Sequence, residues 1–306
     1  MAKTALYDLH DSFDSDVYLD KSERNIQRVS NKLDDYIKQP NEENIHDIRK
    51  AIRRLEASYR SLPSKKVRKK RAIREYTEYS KKLFSINSEI RDLDIISEKL
   101  PSYEDHSQQD TISSIKELLS KQRKTKLDEA ISFALELRKL HVPKLTKMVK
   151  ISNKRSKKRF NKVISKYAGN IEHHLPIVVS DNKKINELHE LRKDCKRLRY
   201  LLELIPNYST GDQSGENKAD ISKLITKLEG VQDILGSIHD YDMMISYLRR
   251  RKGVGTRSTL VNSILAKINQ ERQNKYEEFT KFVKEDISLN SSNIFITMTH
   301  PKTTLT

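Results

Sequence analysis

A ten-residue basic pattern occurs twice in this chain of 306 residues, and the two copies begin 143 positions apart. The copies read His46-x-x-Arg49-Lys50-x-x-Arg53-Arg54-Leu55 and His189-x-x-Arg192-Lys193-x-x-Lys196-Arg197-Leu198. Because an α-helix rotates by about 100° per residue, the histidine, arginine and lysine side chains of each copy share one face. The apolar residues around them share the opposite face. Each copy therefore predicts a helix with one packed side and one positive side.

A second pair of motifs keeps almost the same separation. The first motif is Ile90-Arg91-Asp92-Leu93-Asp94. It corresponds to Ile238-His239-Asp240-Tyr241-Asp242, which lies 148 positions later. Two repeats with nearly equal offsets indicate an internal duplication. We predict an N-terminal helical bundle over residues 1–148, a C-terminal bundle over 149–287 and a flexible tail over 288–306. Since both basic helices then serve one anionic ligand, we expect them side by side or facing each other across one concave surface.

Composition favours an all-α fold. The chain has only 7 Gly, 7 Pro and no Trp, and strand-like alternation is hard to find. Hydrophobic residues make up 35%, which allows a lean core spread over amphipathic helices. Asn41 or Asn44 is expected to cap the first motif helix. The stretch from Ala168 to Lys184 reads as turn-rich, and Cys195, which replaces Ile52 on the apolar face, reads as a core residue.

The formal net charge of +17 makes a polyanion the expected partner. Nucleic acid, polyphosphate and acidic membrane are all compatible with charge alone. No segment reaches the roughly 20 apolar residues of a spanning helix, and the amino terminus lacks the features of a leader peptide. We therefore expect a cytoplasmic protein without a membrane span.

The motif combination resembles the CHAD family, the conserved histidine α-helical domain. The resemblance also includes Leu228-x-x-Val231-Gln232-Asp233-x-Leu235-Gly236-x-x-His239-Asp240-x-Asp242 and extends over roughly residues 20–285. It implies two pseudo-symmetric helical bundles with a basic central groove or pore that binds inorganic polyphosphate. The first half departs from the second at Glu56, which stands where the second copy has Arg199, and at Asn87 and Ser88, which stand where it has Leu235 and Gly236.

The candidate ligand-binding side chains are cations and histidines. Arginine offers a planar fork of donors to phosphoryl oxygens, and lysine offers a mobile point charge. The residues assigned to polyphosphate binding are His46, Arg49, Lys50, Arg53, Arg54, Arg91, Lys158, Arg159, His189, Arg192, Lys193, Lys196, Arg197 and His239. The histidines either contact the ligand or hold neighbouring helices. The basic run from Lys65 to Arg74 is either a secondary anion patch or a solvated face.

Four aspartates are assigned a groove-organising role: Asp92, Asp94, Asp240 and Asp242. Residues i and i+2 of a helix point about 200° apart, so the two members of a pair cannot easily share one metal ion. We expect them to orient cations or to tie helices together. His173-His174 lacks nearby cysteine or acidic spacing, so we expect no metal site there.

No Gly-rich phosphate loop and no Ser/His/Asp or Cys/His arrangement is legible. The leading hypothesis is non-catalytic binding of inorganic polyphosphate or another linear polyanion, without a cofactor, with localisation to polyphosphate granules as a further expectation. Nucleic-acid binding is the alternative, although no helix-turn-helix or RNA-recognition signature is visible. An enzyme acting on phosphate polymers is a third hypothesis, and it requires metal-gripping carboxylates that converge in the groove.

Overall fold

The computed structural model describes residues 14–63, 65–103, 109–145, 152–205, 216–251 and 258–289. These residues are helical almost throughout, which confirms the all-α prediction. The helices are α1 (Ser15–Lys38), α2 (Glu42–Ser61), α3 (Lys65–Arg68), α4 (Arg71–Lys99), α5 (Gln109–Lys139), α6 (Asn153–Ser180), α7 (Ile185–Leu202), α8 (Glu216–Arg251) and α9 (Ser258–Leu289), with a 3-10 turn at Leu100–Tyr103 after α4.

The first motif helix begins at a side-chain cap. Asn41 accepts a hydrogen bond from the backbone amide of Asn44 at 2.8 Å, so Asn41, of the two candidates, is the cap. This bond satisfies one of the amide groups that the first turn of a helix leaves without an intrahelical acceptor. Asp14 caps α1 in the same way, through the amide of Asp16 at 2.7 Å.

Helix α6 continues through most of the stretch from Ala168 to Lys184, so the prediction of a turn-rich segment there is wrong. Pro176 lies inside the helix and removes one backbone hydrogen bond, which usually costs about 3 kcal/mol. Tertiary packing offsets this cost, because Val178 is fully buried and its carbonyl accepts a hydrogen bond from the hydroxyl of Tyr276 at 2.8 Å. The local sequence signals predicted a turn, but the tertiary contacts of the buried residues stabilise the helix.

The helices pack as two groups with corresponding contacts. In the first group α1 packs on α2, α2 on α4, α4 on α5 and α1 on α5. In the second group α6 packs on α7, α7 on α8 and α8 on α9. The groups meet where α2 packs on α7 and α6, where α4 packs on α8 and where α1 packs on α6. The two motif helices, α2 and α7, are therefore neighbours at the centre.

The hydrophobic core crosses from one group to the other. The rings of Tyr18 on α1 and Phe160 on α6 make an edge contact with centroids 5.9 Å apart. A second cluster joins Ile96 on α4 to Met244 and Leu248 on α8. Cys195 is fully buried in the larger cluster, which confirms its assignment to the core.

The internal duplication and the division into two domains stay predictions. The boundary between residues 148 and 149 lies outside the described residues. Of the segment expected as a flexible tail, residues 288–289 belong to α9, and residues 290–306 lie outside the described residues.

Candidate polyanion site between the motif helices

Helices α2 and α7 line two adjoining cavities. Cavity A has a volume of about 370 Å³ and lies among α2, α4, α6, α7 and α8. Cavity B has a volume of about 450 Å³ and lies among α2, α7 and α8. Four cations stand in the walls of both cavities: Arg49, Arg53, Arg192 and Lys196. We call them the shared cations, and we call the two cavities together with these residues the basic site.

Each cavity combines the basic motif of one half of the chain with the repeated acidic helix of the other half. His189 and Lys193 line cavity A, and their counterparts His46 and Lys50 line cavity B. Helix α4 lines cavity A, and residues 148 positions later in α8 line cavity B; the pairs are Phe84 and Gln232, Ser88 and Gly236, and Asp92 and Asp240. Because residues four apart share a helix face, each set forms one continuous wall.

Asp92 and Asp240 line the cavities and attract Arg49 and Arg192, but the shared cations form no direct ion pair with them. None of them forms an ion pair with a carboxylate in the described part of the chain. The Nε atoms of Arg49 and Arg192 are moreover buried without a hydrogen-bond acceptor among the described residues. A buried donor left without a partner costs about 1–3 kcal/mol, and more when it is charged. An anion with several acceptor oxygens would remove this cost.

An aromatic ring supports two of the shared cations. The guanidinium carbons of Arg49 and Arg53 lie 5.7 and 5.0 Å from the centre of the Phe84 ring. The negative face of an aromatic ring attracts such cations and fixes their position. Phe84 is not among the site residues predicted from the sequence, although its spacing from Asp92 by two steps of four residues places both on one face of α4.

Burial shifts the protonation equilibria of the cations. It lowers the pKa of Lys196 to about 6, and the positive charges of Arg192, Arg53 and Arg49 contribute to the same decrease. Burial likewise lowers the pKa of Arg49 to about 10, aided by the charge of Arg53. At neutral pH, Lys196 of the empty site is therefore largely neutral.

Burial also shifts the pKa of one carboxylate, Asp92, and of two histidines, His189 and His239. Burial raises the pKa of Asp92 to about 6, while the charges of Arg49 and Arg192 oppose this rise. Burial lowers the pKa of His239 to about 3, and the charge of Arg192 adds to the effect. The rings of His189 and His239 lie 4.9 Å apart, so His239 is a neutral neighbour of His189 in the empty site.

A sequence profile of the CHAD domain matches residues 23–249, a range that includes both motif helices and the walls of both cavities. The chain belongs to the CHAD family. The crystal structure of the CHAD domain from the plant Ricinus communis is similar, with a TM-score of 0.60 and 13% sequence identity over 88% of this chain and 91% of that chain. At this identity the likeness supports the fold alone. No curated protein matches the sequence of this CHAD protein.

Several candidate residues of the CHAD chain have other partners in the structure. Arg54 forms an ion pair with Glu203, with 2.9 Å between Nε and Oε2, and Arg91 forms one with Glu42. Arg197 lines cavity A and is also paired with Asp194 at 2.8 Å. Neither Arg54 nor Arg91 lies in the wall of cavity A or B, so their part in ligand binding stays a prediction.

Lys158 and Arg159 lie on α6, outside the walls of both cavities. Lys158 is exposed, and Arg159 donates a hydrogen bond to the backbone carbonyl of Arg60 at 2.9 Å. Arg60 itself lines cavity A and donates to the hydroxyl of Tyr167 at 3.0 Å. Arg159 is thus connected to the wall of cavity A without forming it.

The four aspartates of the CHAD chain divide into two kinds. Asp92 and Asp240 line cavities A and B. Asp94 accepts a hydrogen bond from Arg123 at 2.6 Å and so ties α4 to α5. Asp242 accepts from Arg272 and ties α8 to α9 in the same manner; Asp240 in addition binds the Lys99 ammonium at 3.1 Å, which joins α8 to α4.

The described residues contain neither a cluster of metal-ligating side chains nor a membrane-spanning helix. Among them, no three His, Cys, Asp or Glu side chains are grouped so that they could hold a metal ion. His173 and His174 form an edge contact on α6, with ring centroids 5.2 Å apart. Within the same ranges, no helix has the length and apolar character to cross a bilayer.

Proposed function

We propose that this CHAD protein binds inorganic polyphosphate in the basic site without hydrolysing it or transferring its phosphate groups. The observation that carries the proposal is that both motif helices bring the shared cations together and that none of these cations forms a direct ion pair with a described carboxylate. A phosphate polymer carries about one negative charge per unit and no base edges. It can be held only through charge and donor geometry, which arginine and lysine supply.

The shape of the site favours a linear ligand. The two cavities adjoin at the shared cations, so phosphates in cavity A and cavity B would contact the same four side chains from two sides. A compact anion would occupy one cavity and would not reach the cations that line only the other, Lys193 in cavity A or Lys50 in cavity B. The buried Nε atoms of Arg49 and Arg192 would each gain an acceptor from a chain that runs through both cavities.

The test is a binding competition with a charge-matched pair of variants. The first variant replaces the shared cations by alanine: R49A, R53A, R192A and K196A. The control replaces four exposed lysines on α5 and α9: K116A, K124A, K267A and K284A. Both variants replace four basic side chains by alanine, so a difference between them reports the position of these side chains rather than their number. We expect the first variant to lose most of its polyphosphate affinity and the control to keep it.

Duplex DNA and RNA compete against long-chain polyphosphate in the same assay, at matched phosphate and salt. Displacement of polyphosphate by nucleic acid would replace the proposal with the nucleic-acid alternative, for which the net charge of +17 is equally suitable. Equal polyphosphate affinity of the two alanine variants would show that the binding site does not include the shared cations. Far-UV circular dichroism of both variants checks that the helices are intact.

A hydrolytic or transfer activity on phosphate polymers is the second candidate, because Asp92 and Asp240 lie in the cavity walls. Incubation with polyphosphate and Mg²⁺, followed by measurement of chain length and free phosphate, separates the two. We expect unchanged chain length. Shortening that disappears in D92N or D240N would establish the enzyme instead.

We further propose a cytoplasmic protein that gathers at polyphosphate granules. A fluorescent fusion should coincide with a polyphosphate stain in cells that accumulate the polymer. The variant without the shared cations should be diffuse in the same cells. A wild-type fusion that stays diffuse would contradict the proposed location.

A further inference from the structure

Among the shared cations, the lysine differs chemically from the three arginines. Arginine keeps its proton in proteins, whereas lysine releases its proton when it is buried beside other cations. Lys196 stands in the same two cavity walls as Arg49, Arg53 and Arg192. In the empty site, burial and these three charges lower the pKa of Lys196 to about 6. At neutral pH a neutral amine therefore lies beside three fixed positive charges.

The side chain of Lys196 has no partner that would occupy its amine. It forms no hydrogen bond and no ion pair with a described residue. Two nearby lysines differ in this respect, because Lys193 in the wall of cavity A pairs with Glu190, and Lys99 pairs with Asp240. Of the two lysines in the wall of cavity A, Lys196 is thus the one without a described carboxylate partner.

The amine can be reached from both cavities. Lys196 is half-buried, and the cavities that it lines have volumes of about 370 and 450 Å³. At about 30 Å³ per water molecule, each has room for roughly a dozen waters and so for a small organic phosphate. Asp92, His239 and Asp240 face the same space from α4 and α8, and none of the three is bonded to Lys196.

A neutral amine beside guanidinium groups suits an electrophile that carries its own phosphate. The buried Nε atoms of Arg49 and Arg192 lack acceptors among the described residues, and phosphate oxygens would supply them. A phosphate held there brings an attached acyl group into the space that Lys196 also lines. The same positive charges stabilise the phosphate as it leaves. Acyl phosphates combine both parts in one small molecule.

We propose that Lys196 is a modification site that small acyl phosphates acylate, with the arginines of the shared cations positioning the phosphate. The Lys196 nitrogen forms an amide bond with the acyl carbon, and the bond from that carbon to the phosphate oxygen breaks. The electron pair of the broken bond leaves with the phosphate, which takes up the proton displaced from the nitrogen. The products are N-acyl-lysine and inorganic phosphate, and no further reactant is consumed.

Acylation would change what the basic site can bind. An amide nitrogen does not take up a proton, so the modified side chain can no longer become a cation when an anion arrives. The acylated protein should therefore bind polyphosphate more weakly than the unmodified protein. This consequence rests on the proposed function, whereas the acylation of Lys196 does not.

The experiment incubates the full-length protein with acetyl phosphate at neutral pH and follows acetylation of each lysine by peptide mass spectrometry. We expect Lys196 to react at least about tenfold faster than Lys116 and Lys267, two exposed lysines that serve as internal references. An excess of inorganic phosphate should slow the reaction at Lys196 and leave Lys116 unchanged. With p-nitrophenyl acetate, a neutral acetyl donor without phosphate, the advantage of Lys196 should be smaller.

A pair of arginine variants tests the positioning role. The variant R49A with R192A should slow acetylation of Lys196 by acetyl phosphate more than by p-nitrophenyl acetate. The control, R28A with R249A, removes two exposed arginines and should match the wild type with both donors. Far-UV circular dichroism checks the fold of both variants, and the measurements on the wild type stand without them.

The possible results separate this proposal from the proposed function. Acetylation of Lys196 no faster than that of Lys116, or slower than that of Lys50 or Lys193, would overturn the proposal. An equal advantage of Lys196 with both donors would overturn the positioning role of the arginines. If the wild type did not bind polyphosphate, the proposed function would fail, and the map of acetylated lysines would still decide the acylation.

Discussion

Arg49 and Arg192 occupy matching positions of the two basic motifs, and the Nε atom of each is buried without an acceptor among the described residues. Both side chains stand in the walls of cavities A and B. Burial lowers the pKa of Arg192, and the charge of Arg53 lowers it further. Like charges are thus held together in the empty site at a free-energy cost, and this cost links stability to binding.

The first prediction concerns Lys196. Its pKa falls from 10.5 to about 6 on folding, so the unfolded chain binds a proton that the folded chain releases between these pH values. Folding stability should therefore rise with pH across this window. The substitution K196M removes the penalty and keeps the aliphatic volume. We expect it to raise the free energy of unfolding at pH 7 by about 1–3 kcal/mol and to weaken polyphosphate binding.

Urea denaturation at several pH values measures this effect. K196M should lack the part of the pH slope that Lys196 contributes, and K116M, an exposed substitution on α5, should leave the slope unchanged. A destabilised K196M protein would show that Lys196 stabilises the empty fold.

The second prediction is that binding takes up protons. The pKa values of Lys196 and Asp92 are both about 6 in the empty site, and a bound polyanion raises both. Affinity for polyphosphate should increase as the pH is lowered from above neutrality to about 6. Below about 6 it should level off, because both groups are then protonated before the polymer arrives. Calorimetry in buffers of different ionisation enthalpy counts the protons, and affinity that falls with decreasing pH would refute the coupling.

The third prediction compares how much two ion pairs between neighbouring helices, Asp242–Arg272 and Asp94–Arg123, contribute to stability. The Asp242 and Arg272 side chains are 12% and 10% exposed, whereas those of Asp94 and Arg123 are 15% and 33% exposed. Removing one partner of a buried pair leaves an uncompensated charge, so D242N should destabilise the fold by about 3 kcal/mol. D94N should cost about 1 kcal/mol, since water reaches Arg123. Thermal or urea unfolding of both variants gives the ranking, and equal losses would show that burial does not decide it.

The fourth prediction concerns salt. For single-stranded polyanions the logarithm of affinity falls with the logarithm of salt by about 0.7 per phosphate contact, so four contacts correspond to a slope of about −3. Replacing the shared cations by alanine should reduce the slope for long-chain polyphosphate by about this amount. An unchanged slope would mean that phosphates are contacted elsewhere. The same titrations should show weaker binding of duplex DNA at every salt concentration.

Much of the fold follows from local periodicity. The positive and apolar faces of α2 and α7 could be predicted because each motif repeats with the helical period, and the low content of Gly and Pro indicated the all-α class. The failure at Ala168 to Lys184 has the opposite cause. Pro176 is a local signal for a break, but the burial of Val178 and the hydrogen bond from Tyr276 depend on helices that are distant in sequence.

The sequence by itself determined which side chains are cationic and which helix face carries them. The tertiary structure decided which cations remain without a partner. Arg54 forms an ion pair with Glu203, which lies 149 positions later, whereas Arg49 and Arg53 on the same helix lie against the ring of Phe84 and form no ion pair with a described carboxylate. Helical periodicity is a local property, but the pairing of a charge depends on how the helices pack against each other.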